Sequence, residues 1–138
     1  MKSILAIILL QFLFPTDQDK DITSIKLTLQ TRGNQKIIAV NPKSTEIEIN
    51  GSITNTSTKP QEWKQLLEYL SKINLSKLSD YKSSGTQSHV DAAYITQLQV
   101  TKGAEVFQSE SFDHSNPPKE LSKLVKLMIS KIPKDLQP

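Results

Sequence analysis

Few residues of this chain can run acid–base or metal chemistry, and they come in two small groups. The two histidines are His89 and His114, and each has an aspartate at hand, in His89-Val90-Asp91 and in Asp113-His114. Zinc and copper sites use imidazole nitrogens and carboxylate oxygens, so His89, Asp91, Asp113 and His114 form a chemically sufficient metal set. The same groups could serve a hydrolase, with Ser109, Ser111 or Ser115 as nucleophile, His114 as base and Asp91 orienting it. Neither pattern is specific. H-x-D plus D-H falls short of the motifs that commit a sequence to a metal. No nucleophile elbow or glycine-built oxyanion donor accompanies the serines. A third reading is structural: Asp113 and Asn116 bond turn amides, His114 packs or pairs with Asp91, and Pro117-Pro118 pre-sets the first turn of a helix. The pattern favours the structural reading, which assigns no catalytic residue and needs no cofactor.

The elements that must position these groups can be read from periodicity. Ile25, Leu27 and Leu29 alternate with Lys26 and Thr28, the mark of a half-buried strand. A turn at Gly33-Asn34 would set Leu29 opposite Ile38 and Leu27 opposite Val40. A second turn about Pro42-Lys43 sets Ile38 opposite Ile47, in a third strand where Ile47 and Ile49 alternate with Glu46 and Glu48. Ser52 to Lys59 reads as a polar connection. Thr58-Lys59-Pro60-Gln61 then fits a capping box, opening a helix that carries Trp63, Leu66, Leu67, Leu70 and Ile73 on one stripe. Leu75, Leu78 and Tyr81 continue the apolar rhythm, and residues 81–88 read as a Ser/Gly-rich loop.

A second hairpin runs from about Ala92 to Phe112. If Lys102 and Gly103 form its turn, Asp91 lies opposite His114 and His89 opposite Asn116, all on one face at the open end. A three-residue loop with a bulge moves the pairing by one. Asp91 then faces Ser115, Asp113 faces Ala93, and Tyr94, Leu98 and Val100 share a face with Val106 and Phe112. The last helix starts near Pro117 and buries Leu121, Leu124, Val125, Met128 and Ile132. The expected fold is α+β: an antiparallel sheet of about five strands, in the order β-β-β-α-β-β-α, with both helices packed on one face.

Composition narrows the function. The chain has 138 residues, enough for one domain, and a formal charge of +3. Arg32 is its one arginine, and nucleic-acid readers rely on clustered arginine forks, so nucleic acid is not an expected partner. Lys119, Lys123, Lys126 and Lys131 read as a solvated face. Lys2 precedes a nearly unbroken apolar run from Ile4 to Phe14, and Pro15-Thr16-Asp17 ends it. Residues 1–17 are therefore expected to be a signal peptide, residues 22–132 a single α+β domain and residues 133–138 a short tail. The run is too short to span a bilayer, so no stable membrane span is expected after processing. With no cysteine there is neither disulfide nor thiolate chemistry. The expected product is periplasmic or extracellular. It would bind a protein, peptide or envelope component through its sheet or loops, and the alternative is a zinc-, copper- or hydrolysis-competent His/Asp cluster.

Assembled, these segments resemble a group of small exported bacterial proteins of uncharacterised function. The likeness rests on Arg32-Gly33, Glu62-Trp63-Lys64, Asp91-Ala92-Ala93 and the segment Phe112-Asp113-His114-Ser115-Asn116-Pro117-Pro118. It spans roughly residues 25–128. Ala92 and Ser115 stand where the group's pattern has glycine, which weakens any role needing close backbone approach there. The resemblance implies the fold and export, and no activity.

Overall fold

The alternation of Ile25, Leu27 and Leu29 with polar neighbours puts all three side chains on one face of a strand. In the computed structural model, which describes residues 22–83 and 93–138, that strand is β1 (Ile22–Thr31), and the three side chains are fully buried. Strands β2 (Asn34–Val40), β3 (Ser44–Ile49) and β4 (Ser52–Ser57) follow as a meander, then helix α1 (Pro60–Ser71). Beyond it come β5 (Ile95–Lys102), β6 (Glu105–Gln108), the two-residue β7 (Phe112–Asp113) and helix α2 (Ser122–Ile129). The strands form one seven-stranded sheet in the order β4-β3-β2-β1-β5-β6, with β7 also paired to β5. Every pairing is antiparallel. The α+β class is as expected; the sheet is wider by β4 and β7.

The core lies between one face of this sheet and the two helices. Leu27, Ile38, Leu98 and Val100 meet Leu66 and Leu70 of α1 and Leu124, Val125 and Met128 of α2. Each such side chain contributes about 1.5–3 kcal/mol when fully buried, and with no cysteine this burial carries the fold. Leu121 and Ile132 are buried as well, so all the apolar positions assigned to the last helix face inward. Lys131 departs from the expected solvated series. Its Nζ lies 3.1 Å from Glu62 Oε2 and its side chain is only 10% exposed, tying α2's end to α1. Lys119, Lys123 and Lys126 remain exposed.

Three local expectations are corrected. The first hairpin turns at Arg32-Gly33, pairing Leu27 with Ile38 and Ile25 with Val40. The expected turn would have put Ile25 opposite Pro42; the observed register keeps two apolar pairs on the buried face and sets Leu29 opposite Lys36 instead. The next register, Ile38 with Ile47, is as read. The Asn41 side chain supports it, accepting from the backbone of Lys43 and Ser44 at 2.8 and 2.7 Å.

The capping box is absent. Lys59 occupies the N-cap with no side-chain bond, and Pro60 opens the helix. Thr58 still belongs to the sheet: its N–H donates to Lys43 O at 3.1 Å, and its buried hydroxyl shares a 2.8 Å bond with that of Thr45.

The polar connection after Ile49 is strand β4. Asn50 and Gly51 sit at φ 50° and 87°, the two positive values that a two-residue type I′ hairpin loop demands.

Candidate functional site

The second hairpin takes neither expected register. Its turn is Gly103-Ala104, with Gly103 at φ 59°, so Lys102 pairs with Glu105 and Val100 with Phe107. Farther along, Thr96 pairs with Phe112 and Ile95 with Asp113, one residue out of step. The slip lies at residues 109–111 and is a β-bulge. It has a packing cause. Phe107 and Phe112 are an odd number of positions apart and would face opposite sides of a regular strand. The extra residue brings both to the helix-covered face, where Phe112 is buried and Phe107 packs against the core. Val106, assigned to that face by sequence, points outward and is exposed.

Ser109 holds the bulge. Its N–H donates to Leu98 O at 2.9 Å, and its hydroxyl accepts from the Leu98 N–H at 2.9 Å. The hydroxyl thus replaces a ladder carbonyl. The displaced carbonyl of Ser109 accepts from Gln97 Nε2 at 3.0 Å, and the hydroxyl donates onward to Glu110 O. Ser109 is 3% exposed. A hydroxyl so buried and so engaged is a structural group, not a free nucleophile.

Beyond the bulge, His114 lies opposite Tyr94. The His114 N–H donates to Tyr94 O at 3.0 Å, and Nδ1 accepts from the Tyr94 N–H at 3.0 Å. The two rings meet edge to face, centroids 5.7 Å apart. Because Nδ1 accepts a backbone proton, its lone pair is occupied and the ring proton sits on Nε2. The 3.5 Å approach of Nδ1 to Asp113 Oδ1 is then not an ion pair, since that needs a proton on Nδ1. Asp113 has other work. Its Oδ1 accepts from Ser115 N at 2.8 Å and from Ser115 Oγ at 2.7 Å, an Asx turn that leads the chain toward Pro117-Pro118. Ser115 therefore gives its hydroxyl proton to Asp113 and not to His114.

The pairing thus corrects both expected partners: His114 faces Tyr94 instead of Asp91, and Asp113 faces Ile95 instead of Ala93. His89 and Asp91 lie outside the described residues. Among the described residues no group of His, Cys, Asp or Glu is arranged to hold a metal ion.

Sequence reasoning missed a neighbour of this junction. Lys36 is 7% exposed, donates from Nζ to Tyr94 OH at 3.0 Å and lies 4.5 Å from that ring's centroid. A signal was present, since Lys36 shares the parity of Ile38 and Val40 and must face inward with them. The buried Lys36 amine is satisfied at the hydroxyl end of Tyr94, which ties β2 to the residue opposite His114.

A separate cleft of about 470 Å³ lies at the far end of β5, lined by Ile22, Leu67, Leu70, Asn74, Lys102 and Phe107 among others. It takes nothing from Asp113 or His114. No helix among the described residues is long and apolar enough to cross a membrane. The chain matches no protein-family model, no curated protein and no solved structure.

Proposed function

We propose that this chain is a small exported interaction module without a catalytic centre, which binds a protein or peptide partner of the cell envelope by strand addition at β4. Export rests on the leader pattern of residues 2–14. The observation that carries the binding mode is β4 itself. It ends the sheet, every one of its residues from Ser52 to Ser57 is exposed, and no element packs along its outer side among the described residues. An edge strand with unpaired backbone groups is a template for another strand. The junction at residues 109–116 supports the non-enzymatic half of the reading, because the hydroxyls of Ser109 and Ser115 and Nδ1 of His114 are taken up by structural bonds.

The test compares immobilised wild-type protein with Asn55→Pro on an envelope fraction. Proline at position 55 removes an N–H that the fold does not use, but that an added strand needs. A partner retained by the wild type and lost by a folded Asn55→Pro supports the reading. Equal retention by both overturns the edge as the binding element.

A further inference from the structure

Resting on that reading, we propose that the strand added at β4 is β4 of a second copy of this chain, paired antiparallel about a two-fold axis through Asn55. The two edges of the sheet differ in how they are guarded. β6 is four residues long, carries Glu105, leads into the bulge at residues 109–111 and has the 3-10 segment Leu75–Asp80 beside it. Charge, shortness, bulges and cover are the usual protections of an edge. Among the described residues, β4 has none of them. Its sequence Ser-Ile-Thr-Asn-Thr-Ser holds no charge and no proline, and its register with β3 runs without a break from Ser44–Ser57 to Ile49–Ser52.

The backbone decides which groups face outward. A two-residue hairpin loop makes Ile49 and Ser52 a hydrogen-bonded pair, and along an antiparallel ladder such pairs alternate with unbonded ones. Thr54 and Thr56 therefore turn their amides toward β3, and Ile53, Asn55 and Ser57 turn theirs away. The bond from Thr58 N to Lys43 O keeps the same parity.

Two copies can use all of these outward groups in one register. Antiparallel partners share a face, so a two-fold axis that keeps both sheets the same way up must pass through a residue position. With the axis at Asn55, Asn55 faces the partner's Asn55, Ile53 faces the partner's Ser57 and Thr54 faces the partner's Thr56. Each outward residue then exchanges both bonds with its mate. Threonines meet threonines, a pair that sheets favour, and the two uncharged Asn55 amides meet on the axis. An axis at Thr54 would leave Ser57 unpaired.

Charge does not oppose this join. The acidic residue in line with Asn55 is Glu46, its neighbour on β3. The two Glu46 residues would stand three strand spacings apart, roughly 14 Å, beyond the screening length of about 8 Å in physiological salt. A foreign peptide fits less well. Strand addition draws its specificity from pockets for alternate side chains, whereas β4 is exposed throughout and the cleft lies across the sheet by β1, β5 and β6. A second copy brings its own matching side chains. One strand pair buries less than the roughly 1,200 Å² of a stable standard interface, so the dimer is weak and concentration-dependent.

Sedimentation of the purified protein from micromolar to millimolar concentration tests the proposal, with Asn55→Lys and Asn55→Glu as variants. Both substitutions are at an exposed site, and circular dichroism confirms that each variant is folded. The wild type is expected to pass from monomer to dimer. Each variant alone should dimerise at least about tenfold more weakly, because like charges meet on the axis. An equimolar mixture of the two should recover the dimer, with lysine facing glutamate. A wild type that stays monomeric at millimolar concentration overturns self-pairing, and the edge reading is then judged separately by the envelope capture. A dimer that persists in both single variants, or a mixture that does not recover it, overturns the two-fold register.

Discussion

Residues 109–116 and residues 52–57 are both rich in small polar side chains with an apolar residue or two among them, yet the fold treats them in opposite ways. In the first, Ser109 completes a ladder, Asp113 caps a turn, Ser115 bonds Asp113 and His114 accepts from Tyr94. In the second, no side chain is buried, and the backbone of Ile53, Asn55 and Ser57 faces outward at the sheet's end. Residue types alone do not separate them in this way, although the pattern around Asp113-His114 already favoured a structural junction. Asp-His beside serines looks like a site, and Ser-Ile-Thr-Asn-Thr-Ser looks like a connection. What separates the two stretches is position. The first runs from β6, at the opposite edge of the sheet, through β7 to a helix that packs on the core, where each buried polar group must find a partner. The second is the last strand of a sheet that extends beyond its helices, where water satisfies whatever is left.

The largest effect should come from breaking the anchor of the first stretch. Phe112 is buried against the core because the bulge turns it inward. Phe112→Ala should cost about 3–5 kcal/mol, read as a lower midpoint of chemical denaturation. A loss below about 1 kcal/mol, the range of ordinary surface changes, would show that the bulge does not serve core packing.

A smaller loss is expected at the bulge's polar hinge. Ser109→Ala removes the acceptor of the buried Leu98 N–H and should cost about 1–3 kcal/mol, the usual penalty for an orphaned buried group. If Ser109→Ala matched the wild type in denaturation, a water would have to replace the hydroxyl. The first stretch would then be less committed to structure than its bonds imply.

How much of this contrast could be read from the sequence depends on which periodicity was intact. Ile25, Leu27, Leu29, Ile38 and Ile47 alternate cleanly, so their shared buried face and the α+β class were legible. The stripe of Leu66 and Leu70 and the run from Leu121 to Ile132 gave both helices. Register was less secure, because sliding β1 against β2 by two residues keeps every side chain on its face and changes only the pairing. The second hairpin was hidden for a sharper reason. A bulge breaks the period of two, so no single register could place both Phe107 and Phe112 inward. β4 was overlooked although Asn50-Gly51 is among the strongest hairpin signals a sequence carries; its polar side chains lack the alternation that marks a half-buried strand. Of the candidate site, the sequence placed Asp113 and His114 correctly at a strand-to-helix junction. It did not place Tyr94 as the partner of His114, because that pairing follows from the bulge.

The smallest effect belongs to the second stretch, and its smallness is the point. Asn55→Ala removes an exposed side chain from a strand whose outer side the monomer does not use. Its effect on monomer stability at low concentration should stay within about 0.5 kcal/mol, as for surface positions without special contacts. The amides of Ile53, Asn55 and Ser57 should exchange with solvent faster than those of Thr54 and Thr56, because only the latter are bonded to β3. Hydrogen exchange resolved by residue reads this alternation directly. Uniform protection along β4 in dilute protein would mean that its outer groups already have partners, and the contrast between the two stretches would vanish. Alternating protection that becomes uniform as concentration rises would instead locate the second strand on this edge, because only new bonds to Ile53, Asn55 and Ser57 can slow those three amides.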